Sequence, residues 1–188
     1  MPVKWQHPDQ VEGLSPTLYD WLLNTGSLTE RLQALTNHFT VCLLGQEVLM
    51  MDESESQQLL SEAQAKRKDW QIREVLLQGT PTKLEYEKTG NGQLQNWVFA
   101  RSVLPSELCR SKWANLGNQP LGSRIFNDSN FVRSDFEIGR LAYHPLTHEP
   151  FKEGQECWAR RSKFTIEHYE LLVAEAFLPD SPCYWQTK

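Results

Sequence analysis

A chain of 188 residues, 39% hydrophobic and 11% aromatic, can bury one sizeable core but not two, so a single domain over residues 1–188 is expected. A formal net charge of -5 weighs against a nucleic-acid partner, because phosphate contacts need a basic surface or stripe. The four cysteines, Cys42, Cys109, Cys157 and Cys183, form no CxxC pair, and no window reaches the roughly 20 apolar residues that span a bilayer, so zinc, disulfides and membrane insertion are not expected and reduced thiols in the cytoplasm are.

Ser15 and Pro16 give SPTLYDWLLNTGSLTERLQAL a helix-start signal, Leu18, Trp21 and Leu22 form an apolar stripe, and Gly26 is the expected stop. A second helix follows at once, since Ser27 and Glu30 have the S-x-x-E spacing of a capping box. The N–H groups around Leu28 then sit at a helix start, a place suited to an anion, although these residues by themselves favour a plain helical hairpin. FTVCLLGQEV alternates Phe39, Val41 and Leu43 as a strand, whereas the polar DESESQQLLSEAQAKRKD reads as a surface loop or short helix. WQIREVLLQG and LQNWVFARSVLP read as strands, and KTGNGQ between them carries the Gly-Asn-Gly signature of a hairpin turn. PSELCRSKWANL offers Ser106 as a cap and Leu108, Trp113 and Leu116 as a helical face, ahead of the turn-rich GNQPLGSRIF. Strands resume at NFVRSDFEIGR, ECWARRSKFTIE and YELLVAEAFLP, the last two close enough for an antiparallel hairpin. Strand following strand, with no repeat or linker, predicts an α+β fold: an antiparallel sheet with helices on one side.

LLVAEAFLP holds a carboxylate in apolar company. Alternation puts Leu171, Val173, Glu175 and Phe177 on one face and Leu172, Ala174, Ala176 and Leu178 on the other. An unpaired ionised carboxylate there costs several kcal/mol, so Glu175 must be partnered, protonated or facing a ligand cavity. In WQIREVLLQG, Arg73 shares a face with Val75 and Leu77, opposite Trp70, Ile72, Glu74 and Leu76. A guanidinium cannot shed its charge and needs an anion when buried. Arg73 and Glu175 are therefore either a structural salt bridge or a ligand-binding pair, and spacing leaves both open. Arg160 and Arg161 in WARRSKF point to opposite faces, so at most one faces any given pocket, and most such arginines are solvated. His144 and His148 have i, i+4 spacing, but Pro145 makes them loop histidines rather than a metal-binding helix. No GxGxxG, phosphate loop or Ser-His-Asp order stands out, so a site without metal or cofactor is expected.

Taken together and in order, WLLNTGSLTERL, IREVLL, WVFARSVLP, LGNQPLGSRIF, DFEIGR, WARRSKF and AEAFLPDSPCY resemble the chorismate pyruvate-lyase family of ubiquinone biosynthesis. The combination of PLG with EIGR, RRS and E-x-FLP carries most of the likeness. The resemblance implies a twisted antiparallel sheet whose helices and flap segments cover an enclosed pocket. It implies cofactor-independent conversion of chorismate to 4-hydroxybenzoate and pyruvate, the first committed step of that pathway, with product inhibition. It places the ligand-carboxylate arginine on Arg73, the acid that meets the ring hydroxyl on Glu175, and two flap contacts on Leu28 and Leu121. Leu28 stands where the family pattern has methionine, of similar volume. LAYHPLTHEPFKEGQEC and LEYEKTGNGQLQ are longer than in that pattern and carry no assigned role. The implied partners are chorismate and 4-hydroxybenzoate, for a monomer that binds no nucleic acid. The alternative is a non-catalytic sensor of aromatic carboxylates on the same fold; the negative charge and the lack of room for a helix-turn-helix before the helical hairpin weigh against it.

Overall fold

The structure is a computed structural model that describes residues 3–49, 60–61, 64, 69–82, 92–112, 119–125 and 129–185. Serine caps start the two early helices. Ser15 Oγ accepts from the Leu18 N–H at 3.2 Å to open α1 (Pro16–Leu23), and Ser27 Oγ accepts from the Glu30 N–H at 3.3 Å to open α2 (Leu28–Gln33). α1 stops ahead of the expected Gly26. Asn24 leaves the helical region at ψ 123, and its Oδ1 accepts from the Gly26 N–H at 2.9 Å, so a side-chain turn ends the helix before glycine is needed.

Among the described residues seven strands follow: β1 (Phe39–Leu49), β2 (Trp70–Gly79), β3 (Gln95–Pro105), β4 (Val132–Arg133), β5 (Glu137–Arg140), β6 (Trp158–Ile166) and β7 (Tyr169–Phe177). They make one antiparallel sheet in the order β1-β2-β3-β7-β6, with β4 and β5 both pairing β6. This is the expected α+β architecture. Among the described residues two further short helices, α3 (Ser106–Lys112) and α4 (Leu121–Ile125), join it. Ser106 is the first residue of α3 rather than a cap; β3 runs straight into the helix, and the buried Ser106 hydroxyl has no partner among the described residues. NFVRSDFEIGR, read as one strand, is two. Ser134 breaks it: its N–H donates to Lys163 O at 2.9 Å and its Oγ accepts from the Lys163 N–H at 3.0 Å, replacing a ladder bond by a side-chain one. Trp113, Leu116, most of KTGNGQ and most of DESESQQLLSEAQAKRKD lie outside the described residues.

Each sheet face is covered differently. On one, Leu18, Trp21, Leu22, Leu28 and Leu32 of α1 and α2 pack onto Val75, Leu77, Val98 and Phe177. On the other, Leu76, Phe99, Ala159 and Ala176 lie beneath Val3 and Trp5 of the N-terminal segment and Leu146 and Phe151 of the stretch 141–157. The long segment without an assigned role is thus a hydrophobic cover. His144 and His148 are loop histidines within it, the second at φ 58. All four cysteines are free thiols, and burial pushes Cys109 up to about 11 and Cys157 and Cys183 up to about 12, which keeps these three unreactive near neutrality. Among the described residues no helix is long and apolar enough to cross a membrane.

Gly79 ends β2 against the face of Trp97. A Cβ at this position would collide with the Trp97 ring carbons Cη2, Cζ3 and Cε3. That ring is fully buried, sits 5.8 Å edge-on from Trp185, and its Nε1 donates to Gln95 Oε1 at 3.3 Å, so it has little freedom to move. Gly79→Ala is expected to lower the unfolding free energy by about 1–3 kcal/mol through overpacking. Urea unfolding checks this, and an unchanged midpoint would mean that the indole gives way.

Candidate functional site

Two neighbouring rows of side chains across the sheet make the floor of a cavity. Ile166 pairs with Tyr169 across a two-residue turn, with Glu167 at φ 54, and this register carries Arg160 directly opposite Glu175 and Ser162 opposite Val173. On the other side of β7, β3 sets Ala100 beside Glu175 and Ser102 beside Val173, and β2 adds Val75 beside Ala100 and Arg73 beside Ser102. Arg73, Ser102, Val173 and Ser162 thus form one row, and Val75, Ala100, Glu175 and Arg160 the next. Small side chains at Ala100, Ser102 and Ser162 leave the space. Leu28 and Thr29 at the start of α2, and Pro120, Leu121 and Ile125 around α4, cover it. The cavity measures about 50 Å³. At roughly 10–15 Å³ per water on this measure, it takes a small ring rather than a nucleotide. Leu28, Arg73, Leu121 and Glu175, singled out in the sequence, all line it.

Arg73 is 1% exposed, and its Nη2 donates to the Gln119 carbonyl at 2.8 Å, just ahead of α4. Burial holds its pKa below the ordinary arginine value, although a guanidinium stays charged. Glu175 does not pair with Arg73. Its partner is Arg160, whose Nε donates to Glu175 Oε2 at 2.6 Å. The reason is strand order: β3 lies between β2 and β7, so two strand spacings, about 10 Å, separate Arg73 from Glu175, while Arg160 is on the adjacent strand. The second carboxylate oxygen, Oε1, accepts no hydrogen bond from a described residue.

Arg160 does more than neutralise Glu175. Its Nη1 donates to the carbonyls of Trp21 at 3.1 Å, Leu22 at 3.4 Å and Asn24 at 2.9 Å, the oxygens that the end of α1 leaves without helical partners. One guanidinium therefore joins the carboxylate to the helical hairpin that carries Leu28. The general expectation that such arginines are solvated is overturned, since both are 3% exposed, while only Arg160 of the two lines the cavity. They do point to opposite faces, and each finds an acid on a neighbouring strand, since Arg161 Nε donates to Glu137 Oε2 at 2.8 Å and its guanidinium stacks over Trp5. Paired in this way, a strand arginine can be buried.

Arg133 and Phe136 complete the wall beside Glu175. The Arg133 and Arg160 guanidinium carbons lie 4.4 Å and 4.6 Å from the Phe136 ring centroid. Burial, and next the charge of Arg160, lower the Arg133 pKa, while Glu175 acts in the opposite sense. The sequence reading missed Arg160 and Arg133 as site residues. Counting back from the two-residue turn would have found Arg160; Arg133 arrives through a two-residue strand paired to β6, for which local pattern offers no signal.

Buried guanidinium groups around a ring-sized cavity, inside an antiparallel α+β sheet, define a protein suited to a small organic anion. Sequence comparison narrows this class. The family described as chorismate lyase matches residues 1–188, and the chain belongs to that family. Among its relatives, a probable chorismate pyruvate-lyase of Pseudoalteromonas atlantica is 38% identical over 97% of this chain and 90% of its own length. One of Idiomarina loihiensis is 39% identical over 97% of this chain and 88% of its own. A third, from Pseudomonas aeruginosa, is 36% identical over 93% and 90%.

Proposed function

We propose that the chain is a cofactor-independent chorismate pyruvate-lyase, acting as one domain over residues 1–188, that releases 4-hydroxybenzoate and pyruvate and so feeds an aromatic ring into ubiquinone biosynthesis. Family membership supports the reaction class. The observation that carries the residue roles is a single cavity with Arg73 on β2 and Glu175 on β7, the width of β3 apart. That separation suits a six-membered ring with a carboxylate at one end and a hydroxyl at the other.

In this reading Arg73 grips the ring carboxylate through charge-assisted hydrogen bonds, and Glu175, held by Arg160 through Oε2, offers Oε1 to the ring hydroxyl. Leu28 and Leu121 close on the faces of the ring. The ether C–O bond at the ring carbon next to the hydroxyl breaks. The hydrogen on the hydroxyl-bearing carbon moves to the enolpyruvyl methylene, which becomes the methyl of pyruvate. The ring is left aromatic. The step is redox-neutral and internally balanced in protons, so held geometry is the protein's main contribution.

Purified protein incubated with chorismate and a chelator, with both products quantified, tests the proposal. Equal amounts of 4-hydroxybenzoate and pyruvate support it. A thermal shift with 4-hydroxybenzoate but no turnover would instead indicate a binding protein on the same scaffold. Arg73→Ala is expected to weaken 4-hydroxybenzoate binding by about 1.5–3 kcal/mol, the scale of a hydrogen bond to a charged group. Calorimetric titration checks this, and unchanged affinity would remove Arg73 from the site.

A further inference from the structure

We propose that Arg133 is the receptor for the second carboxylate of the substrate, the one on the enolpyruvyl arm, and thereby favours the dianionic substrate over its monoanionic aromatic product. This rests on the lyase reading above. Arg133 is placed rigidly: it pairs with Phe164 of β6, and the next residue, Ser134, is bonded to Lys163 through both its N–H and its Oγ. Its guanidinium stacks on Phe136 at 4.4 Å and makes no hydrogen bond or ion pair with a described residue.

Chemistry places the second carboxylate on this side. The enolpyruvyl ether is borne by the ring carbon adjacent to the hydroxyl, so if Glu175 holds the hydroxyl, the arm projects from the Glu175 end and away from Arg73. Arg133 and Phe136 form the wall at that end. Arg160, the other cation there, already has its Nε on Glu175 and its Nη1 on the α1 carbonyls. Arg133 and Phe136 also border an open groove between the N-terminal residues His7 and Asp9 and the α1 residues Tyr19 and Leu23. The arm carboxylate therefore lies at the boundary of cavity and groove, and pyruvate, which keeps that carboxylate, departs on the groove side.

Steady-state kinetics with chorismate, with 4-hydroxybenzoate as competing inhibitor, test the assignment on the unaltered chain, Arg133→Met and Arg133→Lys. The methionine variant is expected to raise KM for chorismate on the order of 10- to 100-fold, the lysine variant less, because an ammonium restores charge but not the planar fork. The inhibition constant of 4-hydroxybenzoate, which lacks the arm, should stay within about twofold and also reports that the variants are folded. A parallel rise in both constants would make Arg133 a structural support of Glu175, and no change in either would remove it from the site; both overturn the inference. Absence of turnover by the unaltered chain would overturn the lyase reading and the inference with it, and shows before any variant is made.

Discussion

Arg160→Met is expected to lower the unfolding free energy in urea by about 3–5 kcal/mol, the range for removing one partner of a buried ion pair. The size of the effect follows from what the guanidinium holds. The Glu175 side chain is 18% exposed and the Arg160 side chain 4%, so solvent can replace little of the 2.6 Å bond between them. The α1 carbonyls lose their donor in the same substitution, and with it the tie between the sheet and the helical hairpin. Methionine keeps the length and apolar stem, so cavity formation is minor. The double variant Arg160→Met, Glu175→Met recovers part of the loss, because two apolar side chains of similar volume replace a pair whose desolvation offsets much of its attraction. A double variant as unstable as the two singles added together would show that the pair is not coupled. Arg160→Lys should recover little, since one ammonium cannot occupy both the Nε and Nη1 positions.

On the proposed lyase reading, Glu175→Gln is expected to reduce turnover of chorismate roughly tenfold to a hundredfold, the effect of one or two weakened hydrogen bonds in the transition state. Its amide keeps the shape of the carboxylate, so the side chain remains under the Arg160 guanidinium while the charge that Arg160 uses, and that the proposed bond to the ring hydroxyl needs, is gone. Positioning is the favoured role because the hydrogen that leaves is on carbon and the substrate carries its own acceptor. A much larger loss in single-turnover measurements would make Glu175 a general base. A near-normal rate would dispose of both roles.

Where sequence pattern sufficed, contacts were local or periodic. Alternation of period two put Arg73 with Val75 and Leu77, and Glu175 with Val173, on the cavity face, since a strand whose two faces are both covered leaves few places for a charge. Serine capping set the starts of α1 and α2 through bonds that span three residues. Adjacent strand pairs with short connections gave the antiparallel β6–β7 hairpin. Family likeness implied the roles proposed for Arg73 and Glu175, on which periodicity alone is silent.

Strand order in space decided the rest. Periodicity says which way a side chain points but not which strand lies beside it. β3 separates β2 from β7, so Glu175 meets Arg160 instead of Arg73, and an arginine expected in solvent becomes the link between sheet and helices. The same limit hid Arg133, brought to the cavity by β4 pairing with β6, and the covering role of the stretch 141–157 on the far face. Length, caps and alternation determined the elements and two of the charges that face inward; the closure of distant strands onto one another, driven by burial of both sheet faces, determined which charges meet.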